Sequence, residues 1–287
     1  MNAKKKIRLS IIIACFNDGQ FIKDSISSAE CGLDPIYEVI IINDGSTDLL
    51  TCKVLEELDQ SGYKVIHQSN QGVAAARNAG IKLAQGEYIL PLDPDNYIRS
   101  DYIRKGVNIL DKFPDVAVVY CDVERFAEGV YDLDKIPSYN LDYENISLDN
   151  GFKAIQKVPD FNLSLLVNHN YIDACAVFRK SAGEKCGFYD TNTPFGCYSD
   201  WDLWLSIAKR GHGFYHIPEV FLIYRIRSNS LSISARGETR AKAVYKYFAK
   251  KHFALFPKEY RYFFRPYRRI IKFWDMVKSY FRLSPNK

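Results

Sequence analysis

No stretch of the 287 residues is apolar for long enough to span a bilayer as a helix. The apolar run Leu9 to Cys15 follows a basic start, Met-Asn-Ala-Lys-Lys-Lys-Ile-Arg. It is too short for a secretory segment and ends at Asn17-Asp18-Gly19. The seven cysteines (15, 31, 52, 121, 175, 186 and 197) are odd in number and form no Cys-x-x-Cys pair, which argues against a disulfide framework or a zinc ribbon. The five histidines show no ligand spacing. Gly-x-Gly-x-x-Gly is missing after the first apolar run, which speaks against a dinucleotide oxidoreductase. There is no repeat and no low-complexity tract. Reduced thiols and a cytoplasmic location are the expectation.

The first 121 residues alternate. Ile7–Cys15, Tyr37–Asn43, Lys64–His67, Tyr88–Leu92 and Val116–Cys121 read as strands, several of them continuously β-branched, as in sheets covered on both faces. Between them, Phe21–Ala29, Asp48–Gln60, Val73–Ala84 and Tyr102–Phe113 read as helices, with Ser46 or Thr47 placed to cap the second. This order implies right-handed βαβ crossovers, hence an α/β fold with a mainly parallel sheet. Beyond Asp122 the pattern blurs. The spacing predicts a helix within 146–157, strands over 174–178 and 220–224, and a helix over 201–209. The expected division is a body of 1–235, with its nucleotide half about 1–121 and its acceptor half about 122–235, followed by a helical tail of 236–287. That tail holds fifteen Lys and Arg against three acids, a net of +12. The chain total is +5, so residues 1–235 carry −7. Such a tail suits an anionic surface. The 38 Tyr and Phe allow sugar- or base-stacking faces, though most aromatics fill cores.

Ligands of open parallel sheets bind beyond the carboxyl ends of the strands. Three polar segments fall there: Asn17-Asp18-Gly19, Asn43-Asp44-Gly45-Ser46-Thr47-Asp48 and Asp93-Pro94-Asp95-Asn96. Each has two readings. The second segment is either a nucleotide pocket, with Asp44 on a base edge and Gly45 letting backbone approach, or a tight turn with a Ser/Thr cap. Asp93 and Asp95 are either ligands for a hard divalent cation or parts of an Asp/Pro turn. In Asn70-Gln-Gly-Val-Ala-Ala-Ala-Arg-Asn-Ala-Gly80, Arg77 and Asn78 either hold phosphate or orient the acidic loops, or the alanines simply pack. Asp200, in Ser199-Asp-Trp-Asp-Leu-Trp204, is either a general base at a helix start or a carboxylate that stabilises that start. Arg225 and Arg227 are either phosphate contacts or surface charge. Three acidic turns on one rim favour a site over three unrelated turns.

Taken in order, Ser10-Ile-Ile-Ile-Ala-Cys-Phe-Asn17, Glu38-Val-Ile-Ile-Ile-Asn-Asp-Gly-Ser-Thr-Asp48, the Arg77-Asn78 helix, Leu92-Asp-Pro-Asp-Asn96 and Ser199-Asp-Trp-Asp-Leu-Trp204 resemble the inverting family 2 glycosyltransferases of GT-A fold over roughly the first four-fifths of the chain. The resemblance implies a GT-A domain, a nucleotide-sugar donor such as a UDP-sugar, a saccharide or lipid-linked acceptor, and a divalent cation, Mn2+ or Mg2+. It implies donor contacts from Asn17, Asp44, Gly45, Ser46, Arg77 and Asp93, metal ligation by Asp95 with Asp93, and Asp200 as the base. Three positions depart from the family pattern. Asn96 stands where Asp is common, Ser199 where Glu is common, and Arg227 where a His is common; Arg227 would then face the diphosphate as a direct cation. The competing readings are a non-catalytic sugar- or nucleotide-binding protein on the same fold and a nucleotidyltransferase. The latter should have a Gly-rich loop after the first strand, where this chain has Cys15-Phe-Asn-Asp-Gly19. Residues 255–287 are expected either to lie on an anionic membrane at its cytoplasmic face or to pack on the body or in a homo-oligomer. No nucleic-acid partner is expected. The sugar and the linkage are not legible.

Overall fold

The structure, a computed structural model, describes residues 6–30, 37–99, 101–128, 143–147, 151–227 and 238–255. The strands are β1 (Leu9–Cys15), β2 (Tyr37–Asp44), β3 (Lys64–Gln68), β4 (Tyr88–Pro91), β5 (Tyr97–Ile98), β6 (Val116–Glu128), β7 (Tyr143–Ser147), β8 (Gly151–Gln156), β9 (Val177–Arg179) and β10 (Gly213–Arg225). The helices are α1 (Gly19–Glu30), α2 (Leu49–Gln60), α3 (Val73–Leu83), α4 (Asp101–Lys112), α5 (Leu163–Asn168), α6 (Lys180–Cys186), α7 (Ser199–Lys209) and α8 (Glu238–Lys251). The strands form one sheet in the order β3-β2-β1-β4-β9-β6-β10-β5, with β8 on β6 and β7 on β8.

β3, β2, β1 and β4 run parallel, and their apolar side chains are buried between helices on the two faces. α3 lies close against β1 and β2 because Gly80 has no side chain: a Cβ there would sit 2.5 Å from Ile12 Cγ2. The second half is mixed. β9 inserts antiparallel between β4 and β6, β10 runs parallel to β6, and β5 and β8 are antiparallel. The two halves therefore meet in one sheet, and β4, which leads into Asp93, stands at the junction.

Two local expectations are corrected. The segment predicted as a helix within 146–157 contributes the strands β7 and β8 instead. In β8, Phe152 and Ala154 are buried two residues apart, which is the period of a strand. α2 is capped by Asp48, whose Oδ2 accepts from the Thr51 N–H at 2.8 Å, and not by Ser46 or Thr47. Ser46 Oγ is turned instead to the Asn17 N–H.

α8 falls within the basic tail of the sequence, and it packs on α7. Val244, Phe248 and Ala249 are buried, and the Phe248 ring lies 4.5 Å from that of Trp201. Beneath them the buried Asp202 accepts from Lys251 Nζ at 2.7 Å and from His252 Nε2 at 2.8 Å. Residues 256–287, with Pro257 and Pro266, lie outside the described residues. No helix among the described residues is long and apolar enough to cross a membrane.

Candidate active site

The polar segments that follow β1, β2 and β4 converge on one rim. Asn17 adopts a left-handed backbone (φ 56°), and its Oδ1 accepts from the N–H groups of Thr47 at 2.8 Å and Asp48 at 2.9 Å. Ser46 is fixed by Asn43 Oδ1 on its N–H at 2.9 Å. Gly45 has φ 74°, and a Cβ there would lie 2.6 Å from the Asn70 backbone nitrogen, so the turn closes on 70–72 only with glycine. Asp44 is buried. It accepts from Gln68 Nε2 at 2.7 Å and from the N–H groups of Gln71 at 2.9 Å and Gly72 at 2.8 Å. Three protein donors leave a carboxylate one acceptor direction for a ligand.

Asp93 and Asp95 leave β4 beside two arginines. Arg77, buried in α3, donates to Asp93 Oδ1 at 2.5 Å. Burial works against its charge, but the carboxylates of Asp93 and, further off, Asp200 outweigh it and push its pKa up. Arg77 is therefore tied to Asp93 through one of its guanidinium nitrogens. Arg227 Nη1 lies 2.5 Å from Asp18 Oδ1 and 3.0 Å from Asp95 Oδ2, joining the turn after β1 to the turn after β4. Burial and the neighbouring charge of Asp93 raise the Asp95 pKa to about 6, although Arg227 pulls it down. Asn96 is buried, and its Oδ1 accepts from the Arg225 N–H of β10 at 3.0 Å, tying the acidic turn to the second half.

These residues fit a divalent cation of the Mg2+ or Mn2+ kind. Three carboxylates, Asp18, Asp93 and Asp95, meet two arginines, and Asp93 and Asp95 each have an oxygen that no arginine holds. Among the described residues no group of three His, Cys, Asp or Glu forms an all-protein cage. Substrate phosphate and water would complete the shell.

Asp200 is the second residue of α7. Asn170 Nδ2 donates to its Oδ2 at 2.8 Å. Burial raises its pKa, with the Asn170 hydrogen bond and the charge of Arg77 opposing. Arg77, bonded to Asp93, thus also acts on Asp200, so the base candidate and the donor-side acid feel one guanidinium.

Three residues near these acids, Asp173, Asn170 and Tyr189, carry no sequence motif, and Phe16 lies within the Ser10–Asn17 motif without a role assigned to it. Phe16, 45% exposed, stands beside Asn17 at the end of β1; an exposed aromatic opening a polar turn was its signal. Asp173 breaks the apolar run before β9, and its pKa is raised first by burial, with the charge of Asp93 among the further causes. Asn170 and Tyr189 are single residues with no pattern around them.

A family model described as Glycosyl transferase family 2 matches residues 10–187. Over 249 residues the chain is 25% identical to the putative teichuronic acid biosynthesis glycosyltransferase TuaG of Bacillus subtilis, covering 85% of this chain and 90% of that one. Of the first curated relatives it matches, the chain spans from a quarter to about three quarters of the length. Among solved structures it resembles S. aureus TarS 1-349 in complex with UDP-GlcNAc (TM-score 0.62, 16% identity, 85% of this chain and 66% of that one). It also resembles the mannosyltransferase PcManGT of Pyrobaculum calidifontis in complex with GDP-Man and Mn2+ (TM-score 0.58, 18% identity, 85% and 64%).

Proposed function

The chain belongs to glycosyl transferase family 2 and has the GT-A fold; from that premise we propose that it moves a sugar from a nucleoside-diphosphate donor to an acceptor hydroxyl with inversion, Asp200 acting as base. The observations that support this reading are two contacts, Asn170 to Asp200 and Arg77 to Asp93, together with the charge of Arg77 that acts on Asp200. Asp200 takes the acceptor proton as the new oxygen–carbon bond forms and the bond to the diphosphate breaks. A raised pKa suits a carboxylate that must hold this proton. Asp95 with Asp93 would hold a divalent cation, which supplies neutralisation of the diphosphate leaving group. Arg227 stands ready to supply a second positive charge there. The turn 43–46, with Asn17 and Asp44, would seat the nucleoside, and Phe16 offers a face to its base.

A UDP-sugar is the first donor to test, since the TarS structure holds UDP-GlcNAc. The acceptor is proposed to be a growing envelope polysaccharide, as the name of TuaG suggests. Residues 255–287 would bring the enzyme to such an acceptor at the cytoplasmic face of a membrane, a reading supported by their charge and aromatic content.

The test is thermal stabilisation by UDP, GDP, CDP and dTDP, each with Mn2+ or EDTA, in wild type and Asp95→Asn. A ligand that binds the folded state raises the melting temperature by mass action. One nucleotide should give a shift that needs Mn2+ and disappears in Asp95→Asn. No shift with any nucleotide would overturn the reading and return the Asp-Pro-Asp turn to a structural role.

A further inference from the structure

Tyr189 lies in the connection between α6 and α7 and is 2% exposed. Its backbone is held on both sides by one side chain: its N–H donates to Asn78 Oδ1 at 3.0 Å, and its carbonyl accepts from Asn78 Nδ2 at 2.8 Å. The Arg77 guanidinium sits 5.5 Å from the centre of its ring. Arg77 and Asn78 thus act as a pair, one fixing Asp93 and the other fixing Tyr189. The Tyr189 hydroxyl has no hydrogen-bond partner among the described residues. A buried polar group left in that state is destabilising. A phenylalanine would fill the same space without that cost.

The charges acting on this phenol are those of Arg77, Asp200 and Asp93. Its ring packs on the guanidinium that bonds Asp93, so the phenol neighbours the partner of the donor-side acid. Two further buried oxygens have no hydrogen-bond partner among the described residues: Asn170 Oδ1, on the amide that holds Asp200, and Thr193 Oγ1, four residues past Tyr189. A ligand carrying several hydroxyls would satisfy such groups, because each hydroxyl both donates and accepts.

We propose that Tyr189 is a specificity-determining residue whose hydroxyl bonds a ring hydroxyl of the donor sugar. The proposal rests on the reading of the chain as a glycosyltransferase. It assigns the phenol to the donor because the transferred ring must lie between the diphosphate at Asp93 and Asp95 and the base at Asp200. Tyr189 is tied to the helix that holds Asp93, whereas the Asn170 amide bonds Asp200 and faces the acceptor side.

The experiment is calorimetric titration of the full chain with Mn2+, using UDP alone and UDP-glucose, UDP-galactose and UDP-GlcNAc, in wild type and Tyr189→Phe. For the sugar nucleotide that wild type binds, the variant should lose about tenfold in affinity, the size of one hydrogen bond, while its UDP affinity stays the same. A second arm needs no variant: a deoxy analogue of that donor, lacking the contacted hydroxyl, should bind wild type about tenfold more weakly and bind Tyr189→Phe as the parent donor does. Equal losses on UDP and sugar nucleotide would overturn the proposal, since Tyr189 would then only support Arg77. Unchanged affinities for both would also overturn it. If wild type binds neither UDP nor any of these donors, the donor-class reading itself fails and takes this proposal with it; a failure of Tyr189 alone leaves wild-type binding intact.

Discussion

Arg227 Nη1 lies 3.0 Å from Asp95 Oδ2, across 132 residues of chain, so the residue that stands where a histidine is common in the family already neutralises the acid proposed to hold the metal. Arg227→Gln removes that charge and pushes the Asp95 pKa further above about 6. The donor KM should rise about tenfold, the scale of one charge-assisted contact, and the Mn2+ dependence should steepen. In wild type, Mn2+-dependent nucleotide binding should fall as pH drops through about 6, where Asp95 takes up a proton. In Arg227→Gln that loss should begin at higher pH. Calorimetry on both sides of that pH reads both effects; coincident pH profiles would contradict the pairing.

Asn170 favours the ionised form of Asp200 by donating to it, against the burial that favours the neutral form. Asn170→Ala should therefore raise the Asp200 pKa, and the acidic limb of the kcat/KM profile should move to higher pH. On the acidic side of the limb the variant should fall behind wild type by about tenfold for every pH unit that the limb moves. Well above it the two should approach each other. A uniform loss at every pH would assign Asn170 to acceptor contact instead.

The cluster of Phe248, Trp201 and Asp202 makes α8 part of the catalytic body's stability. Phe248→Ala removes a fully buried ring from the back of α7 and should cost about 3–5 kcal/mol in urea unfolding. Deleting 238–287 should be worse, because Asp202, 1% exposed, loses both Lys251 and His252. Deleting 256–287 keeps all three residues and should leave the unfolding midpoint of the body close to that of the full chain.

That shorter deletion also isolates the membrane reading. The full chain should float with vesicles containing phosphatidylserine at low salt, and the chain ending at 255 should not. Attraction to an anionic surface weakens as salt rises, so about 0.5 M NaCl should release the full chain. Equal flotation of the two chains would remove residues 256–287 from membrane binding.

The alternation of β-branched runs with helical spacing was enough to read the first half, because parallel strands buried on both faces leave that pattern in the residues themselves. The acids at 44, 93, 95 and 200 were legible because each sits in a motif at an element end. Asp48 as the cap of α2 was missed because Ser46, an equally good cap by type, is spent on Asn17. β8 was missed although Asn150-Gly151, a hairpin signal, stands at its start, because its short alternation, buried at 152 and 154, lies inside a polar stretch whose spacing predicts a helix.

What the sequence determined by itself was therefore local: which segments are strands, which turns are acidic, and which end of the chain is basic. Tertiary structure decided the pairings. Arg77 belongs to Asp93, Asn78 to the Tyr189 backbone, Arg227 to Asp18 and Asp95, and Asn170 to Asp200. These partners are between 16 and 209 residues apart. Asn78 and Tyr189, and Arg227 with Asp18 and Asp95, are brought together only when the two halves close into one sheet, while Arg77–Asp93 and Asn170–Asp200 form within one half each.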